Sequence, residues 1–205
     1  MKENEHRRQA KRQARGVLRA EEIARVAGGL FAAHGYDKVT MSMIAQQANA
    51  TPGTLYQFFP YKEAVAVAFV TLAARDLQDM YDNLLRESER LPFPQFLDRL
   101  LDDLIVINQA YPGYFALEIN ADTSDTVKQL LHESQQAIQR RLDALLAPYW
   151  PGSDDQQRSL PLLVSYRIFL ALLPLIIQGE SEGQSAVIQE LKRVLTTYWV
   201  AILPE

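Results

Sequence analysis

The sequence predicts an all-α protein of about nine helices, with a small N-terminal three-helix domain followed by a larger helical domain. Apolar residues recur at helical spacing along nearly all of the 205 residues. No stretch of useful length shows the alternation of a half-buried strand, and turn or capping residues separate the apolar segments. We place a basic, flexible arm at residues 1–16, the N-terminal domain at 17–77 and the second domain at 78–205.

Charge is distributed unevenly along the chain. Residues 1–65 carry ten Lys/Arg against six Asp/Glu, whereas residues 66–205 carry eleven against nineteen, so the formal charge of −4 hides a basic N-terminal third. The local charge is what meets a phosphate backbone, so an acidic total does not exclude nucleic acid. The chain has no cysteine, which excludes disulfides and thiolate metal sites, and a cytoplasmic location is expected.

The first helix is predicted from an apolar face made by Ile23, Val26, Ala27, Leu30 and Phe31. Gly35 follows it, and glycine is a frequent helix terminator.

The next two helices are short, with a tight turn between them. Thr40 suits the N-cap of the second helix, and Thr51 can cap the third. Pro52 occupies the first helical position, where proline loses no hydrogen bond. At Asn49, in the turn, we expect a left-handed backbone, which asparagine tolerates better than most residues. Because Pro60 ends the third helix, a helix-turn-helix is predicted over about residues 40–59.

A long helix is predicted from near Tyr61 to about Ser88, and it is expected to link the two domains. The later helices are separated by proline, glycine and capping residues. One is marked by apolar residues from Phe93 to Ile105 and ends at Tyr111-Pro112-Gly113, a short segment covers Tyr114–Asn120, and the next is marked from Val127 to Leu146 and ends at Pro148. The last two cover roughly Asp155–Gln178 and Ser185–Ile202.

Residues 160–177 are almost wholly apolar and could be mistaken for a membrane span. Arg167 in the middle would cost about 2.5–3.5 kcal/mol at a bilayer centre, and Pro161 and Pro174 interrupt the segment. A helix buried on several sides, in a core or a subunit interface, is the better interpretation.

Residues 40–62 resemble the helix-turn-helix of the TetR/AcrR family of bacterial transcriptional regulators, and the resemblance extends over roughly residues 17–77. It rests on Phe31, Gly35-Tyr36, Thr40, Ile44-Ala45, Gly53-Thr54-Leu55-Tyr56, Phe59-Pro60 and Lys62-Glu63. It implies a transcriptional regulator that binds double-stranded DNA, and the expected role is that of a repressor.

The resemblance also implies which residues meet DNA. Base or phosphate contacts are expected at the start of the second helix, base contacts at the start of the third, and phosphate contacts further along. The residues at the start of the second helix are Thr40 and Ser42, and those at the start of the third are Thr51, Pro52 and Gly53. The expected phosphate contacts further along are Thr54, Tyr56, Gln57 and Lys62. Pro52 is expected to touch a thymine methyl.

Two departures from the family pattern stand in the motif. Asn49-Ala50 occupies a place where Gly-Val is common, and Phe58 stands where a histidine often binds phosphate, so Gln57 is the candidate substitute. Core packing is the alternative reading for Tyr56 and Phe58, and a solvated charge is the alternative for Lys62. Arg19 and the arm could reach the DNA backbone or minor groove.

The resemblance further implies a homodimer and a small-molecule pocket in the second domain. The composition suggests a small, mainly apolar effector, with Arg167 pairing either with a ligand anion or with an internal acid such as Glu118. The candidate pocket residues are Phe96, Leu100, Leu104, Tyr111, Phe115, Glu118, Tyr166 and Arg167. The candidate dimer residues, for which packing inside one subunit is the alternative, are Phe169, Leu173, Leu191, Leu195 and Tyr198.

Other function classes have less support in the sequence. His6, His34 and His132 lack metal-ligand spacing, and there is no phosphate loop or nucleophile elbow, so we expect no enzyme, no metal and no cofactor. A DNA-binding protein of the same fold that organises the chromosome without an effector remains an alternative.

Overall fold

The protein is all-helical, as predicted. The computed structural model describes residues 2–88, 91–119, 123–178 and 181–203, and these ranges hold nine α-helices and no strand. The helices are α1 Lys2–His34, α2 Met41–Gln47, α3 Pro52–Phe58, α4 Lys62–Ser88, α5 Phe93–Ala110, α6 Pro112–Ile119, α7 Asp125–Leu146, α8 Asp155–Gln178 and α9 Ser181–Ile202. A single 3₁₀ turn, Ala147–Tyr149, follows α7.

The helices form two compact units. Unit 1 contains Met1–Arg75 and Tyr111–His132, and unit 2 contains Asp76–Ala110 and Glu133–Glu205. The linear boundary predicted at residues 77 and 78 lies near the first division, but the chain returns to unit 1 with α6 and the start of α7. The packing units are therefore not continuous in sequence.

The N-terminal arm is helical in the structure, where the sequence analysis expected a flexible segment. α1 begins at Lys2 and runs for 33 residues. Residues 2–15 contain no glycine or proline and are rich in residues of high helix propensity, so nothing local ends the helix before Gly16. The side chains of residues 9–15 are exposed, so packing within unit 1 does not hold this part of the helix in place.

The core of unit 1 forms where α1 meets the short helices and α4. Ile23, Phe31, Ile44, Leu55 and Phe69 are all at most 1% exposed. Their spacing places them on the inner faces of four different helices, which fixes the positions of α2 and α3 against α1.

Two glycines allow α1 and α6 to approach closely in unit 1. A Cβ on Gly113 of α6 would lie 2.0 Å from the carbonyl oxygen of Gly28, and a Cβ on Gly28 would lie 2.1 Å from the ring of Phe69. Any side chain at Gly113 would therefore push against a helix backbone rather than against a movable group.

Unit 2 is held by an aromatic cluster and a buried ion pair. Phe96 stacks on Tyr149 with ring centroids 4.9 Å apart, and Phe93 lies 6.0 Å from Trp199. Arg158, only 5% exposed, donates from Nε and Nη2 to the two carboxylate oxygens of Asp143 at 2.6 and 3.0 Å. These hydrogen bonds hold the pKa of Asp143 below its usual value, against the opposing effect of burial.

Within the described residues, the segment Asp155–Ile177 is long and apolar enough to cross a membrane, yet only 22% of it is buried. Pro161 and Pro174 lie inside this helix, and Arg167 is exposed near its middle. One face of α8 is open in the single chain, so the helix is not buried on several sides within its own subunit, and burial in a subunit interface stays a prediction.

Candidate nucleic-acid interface

Side-chain caps define the starts of α2 and α3, as the sequence predicted. The Met43 backbone N–H donates to Thr40 Oγ1 at 3.2 Å, and the Thr54 N–H donates to Thr51 Oγ1 at 3.1 Å. Pro52 is at the N-terminus of α3. Each cap satisfies an N–H that the first turn of a helix otherwise leaves without a partner.

The turn between α2 and α3 has the predicted left-handed residue. Asn49 has φ +49°, and it is followed by a hydrogen bond from the Ala50 N–H to the Ala45 carbonyl at 2.9 Å. The turn therefore occupies only residues 48–51, which keeps α3 in contact with α2.

Arg19 of α1 fastens this turn from outside. Its Nη2 donates to the carbonyl oxygens of Ala48 at 2.8 Å and Asn49 at 3.1 Å, while Nη1 pairs with Glu22 at 2.6 Å. A cation at the C-terminus of a helix is favourable because the last carbonyls carry partial negative charge. Arg19, which the sequence analysis considered as a DNA contact, thus holds the turn in this structure.

Lys62, at the start of α4, binds the segment between α1 and α2. Its Nζ donates to the carbonyl oxygens of Tyr36 at 2.7 Å and Asp37 at 3.3 Å, and it lies 4.2 Å from the centroid of the Tyr36 ring. The alternative of a merely solvated charge is therefore wrong. An ammonium has three donors, so the predicted phosphate contact still has one N–H available to it.

The start of α4 is also tied to the start of α7. The Ser124 hydroxyl donates to Glu63 at 2.8 Å and accepts from the Val127 N–H at 3.3 Å. Hydrogen bonds from Thr126 and Ser124 lower the pKa of Glu63. Glu63 therefore stays ionised beside Lys62, and its charge is directed towards α7.

Most of the predicted DNA residues are exposed in unit 1. Leu55 and Phe59 face the core at 0% and 6% exposure, whereas Tyr56 is 54% exposed. Among the other predicted DNA residues, Thr54 and Lys62 are half-buried. The rest are exposed, namely Thr40, Ser42, Thr51, Pro52, Gly53 and Gln57. Tyr56 is thus not a core residue, which excludes the packing alternative for it.

Phe58 packs against its own domain. It is half-buried, its ring centroid lies 6.4 Å from that of Phe59, and a Cβ at Gly16 would lie 4.0 Å from its ring. The packing alternative therefore describes Phe58 better than a phosphate contact does.

The predicted effector residues do not form one described pocket. Tyr111, Phe115 and Glu118 belong to unit 1, and the other five belong to unit 2. Phe96 and Leu100 are 0% and 6% exposed, so they fill the core of unit 2. Leu104 and Tyr166 are half-buried.

Two open cavities of unit 2 are lined mainly by polar groups. One of about 330 Å³ is lined by Asp76, Asp79, Met80, Asn83, Arg99 and Asp103. Another of about 280 Å³ lies between α7 and α8. Neither contains a predicted pocket residue. Arg167 is exposed on α8 and makes no ion pair with any residue that the structure describes.

Most of the predicted dimer residues face inward, which corrects the sequence analysis. Phe169, Leu173, Leu191 and Leu195 are at most 5% exposed and pack inside unit 2, while Tyr198 is half-buried. The exposed apolar residues of α8 and α9 are different ones: Leu160, Leu163, Leu175, Val194 and Val200. α8 is apolar all round, so its periodicity could not indicate which side faces the core.

Two family models match the chain. The model described as bacterial regulatory proteins of the tetR family matches residues 20–69. The model described as a tetracyclin repressor-like C-terminal domain matches residues 91–203, more than half of the chain.

Individual relatives are distant in sequence. YhgD of Bacillus subtilis, an uncharacterised HTH-type transcriptional regulator, is 24% identical over 126 residues. That match covers 62% of this chain and 64% of YhgD, so this chain spans less than two thirds of the relative.

Solved structures share the fold over most of their length. The fatty acid degradation regulator FadR of Bacillus halodurans is 18% identical with a TM-score of 0.66, covering 86% of this chain and 94% of that one. FadR of Bacillus subtilis, solved with stearoyl-CoA, is 15% identical with a TM-score of 0.63, covering 85% and 96%.

Proposed function

Because the chain belongs to the TetR family of bacterial transcriptional regulators, we propose that it represses transcription by binding a near-palindromic operator as a homodimer. A small, largely apolar effector releases it. The exposed start of α3, which Thr51 caps and which follows the turn bound by Arg19, is the observation that carries the proposal.

The start of α3 reads the bases in this proposal. Thr51, Pro52 and Gly53 are exposed at the N-terminus of α3, where the Thr51 side chain caps the helix. In a helix-turn-helix, this end of the second helix enters the major groove. Pro52 offers an apolar ring to a thymine methyl, which distinguishes thymine from the other bases.

The flanking polar residues bind phosphate and set the register. Tyr56 presents its exposed hydroxyl from α3, while Thr40 and Ser42 stand at the N-terminus of α2. Lys62 offers its remaining N–H from a position fixed by two carbonyl oxygens. Contacts of this kind position the protein without specifying sequence.

The homodimer is proposed to cover the open faces of α8 and α9. Leu160, Leu163 and Leu175 are 50–64% exposed on α8, and Val194 and Val200 are 39–55% exposed on α9. An exposed apolar surface of this kind is typical of a protein interface, and two copies of one reading helix on a two-fold axis suit a near-palindrome.

The effector is proposed to bind unit 2. The half-buried Leu104 and Tyr166 of this unit keep part of their apolar surface accessible. One structural neighbour was solved with stearoyl-CoA, which makes long acyl-CoA molecules the first ligands to test.

The experiment is to select bound fragments from sheared genomic DNA of the source organism and then titrate the enriched duplex with purified variants. We expect one or a few near-palindromes at promoters, and many scattered sites would instead indicate a chromosome-organising protein. Tyr56→Ala should weaken binding to every duplex by about tenfold, the loss of one to two phosphate bonds per dimer. Pro52→Ala should change the preferred sequence.

A control variant and a ligand complete the design. Val106→Ala removes a side chain that is 64% exposed on α5 and should bind like the unmodified chain. Adding stearoyl-CoA should release the duplex. If no sequence is enriched, or if Tyr56→Ala and Pro52→Ala both leave the affinity unchanged, operator binding is contradicted. If acyl-CoA of no chain length releases the duplex, this effector class is contradicted.

A further inference from the structure

The N-terminal half of α1 carries a stripe of cations on one face. Arg7, Lys11, Arg15 and Arg19 recur every four residues, and Arg12 stands beside them on the same side of the helix. Residues four apart in a helix lie one above the other. We call Arg7, Lys11, Arg12 and Arg15 the basic stripe.

Arg19 fixes the direction in which the stripe faces. Its guanidinium reaches the carbonyl oxygens of Ala48 and Asn49 in the turn between α2 and α3. Arg15 lies one helical turn earlier on nearly the same face, and Lys11 one turn before that. The stripe therefore begins on the side of α1 that faces the helix-turn-helix and winds around the helix by about 40° for every four residues towards Arg7.

The stripe extends beyond the packed body of unit 1. Gly16 is the residue of α1 that lies beside Phe58, at the end of α3. N-terminal to it, Arg7, Lys11, Arg12 and Arg15 are exposed, and none pairs with an acidic side chain among residues 9–88, 91–119, 123–178 and 183–203. At 1.5 Å per residue, Arg7 stands about 18 Å along the helix from Arg19.

The stripe is unfavourable for the helix unless it has a partner. Like charges four residues apart repel each other by a few tenths of a kcal/mol per pair. A helix segment that packs against nothing is marginal in water. An anionic surface of regular spacing would remove the repulsion and support the helix at the same time.

We infer that the basic stripe binds the phosphate backbone of duplex DNA flanking the operator half-site. A reach of about 18 Å along α1 corresponds to about five base pairs of B-DNA, at roughly 3.4 Å per pair. This inference rests on the proposed operator binding, and it adds a sequence-independent contact outside the palindrome.

The stripe does not suit a lipid surface. An interfacial helix needs a broad apolar face opposite its cations. The other face of this segment carries Gln9, Ala10, Gln13 and Ala14 instead.

The test compares two duplexes, the selected near-palindrome alone and the same core with six arbitrary base pairs added at each end. Titrations by fluorescence anisotropy from about 50 to 300 mM salt give the affinity and the slope of its logarithm against the logarithm of salt. Each phosphate contact contributes about 0.9 to that slope, or about fivefold in affinity near 0.15 M salt. The added base pairs should therefore tighten binding by the unmodified chain.

Lys11→Ala/Arg15→Ala should lose that gain and lower the slope by about 1.8 per bound protomer. Alanine keeps the helix propensity, which circular dichroism checks. Lys128→Ala/Arg140→Ala removes the same charge from exposed positions of α7 and should leave the slope unchanged. Gln9→Ala/Gln13→Ala changes the opposite face of the arm and should also have no effect.

The outcomes separate this inference from the operator proposal. Absence of binding to the core duplex contradicts operator binding itself. Core binding with no gain from the added base pairs contradicts the stripe alone. An equal loss on both duplexes with an unchanged salt slope would assign Lys11 and Arg15 a structural role and overturn the inference.

Discussion

Gly113→Ala should destabilise the protein through the contact between α6 and α1. The new Cβ would lie 2.0 Å from the carbonyl oxygen of Gly28, and ordinary contact begins near 3.4 Å, so the two helix backbones must separate by about 1.4 Å. Overpacking of a core costs about 1–3 kcal/mol, and a backbone obstacle places this case at the upper end. The higher helix propensity of alanine offsets up to about 1 kcal/mol of this loss.

The expected net loss is therefore about 2 kcal/mol in the free energy of unfolding. For a chain of this length, that corresponds to a decrease of about 4–8 °C in Tm. Urea unfolding followed by circular dichroism measures the first quantity, and a thermal scan measures the second.

Gly29→Ala is the matched control in α1. No atom lies within 4 Å of the position of its Cβ, so only helix propensity changes, and we expect stabilisation by about 0.5–1 kcal/mol. Equal effects at Gly113 and Gly29, or stabilisation at both, would refute the view that the glycine contact sets the distance between the helices.

Two further predictions concern unit 2. Leu163→Glu should convert the proposed homodimer to a monomer of 23.3 kDa in light scattering. Val106→Glu changes a side chain that is also exposed but lies on α5, and it should leave the proposed dimer intact. A dimer in both variants would contradict the proposed α8–α9 face. Arg158→Met should lower stability at pH 7 by about 2–3 kcal/mol, because it leaves the carboxylate of Asp143 partly buried without its cation. The lowered pKa of Asp143 in the folded state means that the unmodified chain loses this stabilisation as pH falls below about 4. The urea midpoints of the two proteins should therefore converge at acidic pH, and a constant difference would contradict the ion pair.

Local sequence signals placed most of the helix boundaries correctly. Thr40, Thr51 and Pro52 act within one helical turn of their own position, so their capping roles follow from the chain alone. Asn49 is similar, because its positive φ is set by the turn it occupies. The helical conformation of residues 2–15 was not predicted, because their charged and polar side chains form no apolar face, although their helix propensity is high.

Long-range partners were not accessible from the same signals. Arg19 holds carbonyl oxygens about 30 residues away, and Lys62 holds one 26 residues away. A cation of either kind looks like a surface charge in the sequence. Only the packing of α1 against α2 and α4 reveals what each cation binds.

The sequence by itself determined the all-α class, the helix-turn-helix and the exposed start of α3, because caps, turns and amphipathic periodicity are local properties. The tertiary structure decided which apolar face of α8 and α9 packs inside unit 2 and which remains open. α8 is apolar on all sides, so the face that packs depends on the shape of the neighbouring helices. Leu191 and Leu195 of α9 are buried inside unit 2 as well. The tertiary structure also decided that α6 packs against α1 in unit 1, because this contact requires Gly28 and Gly113, which are distant in sequence, to meet.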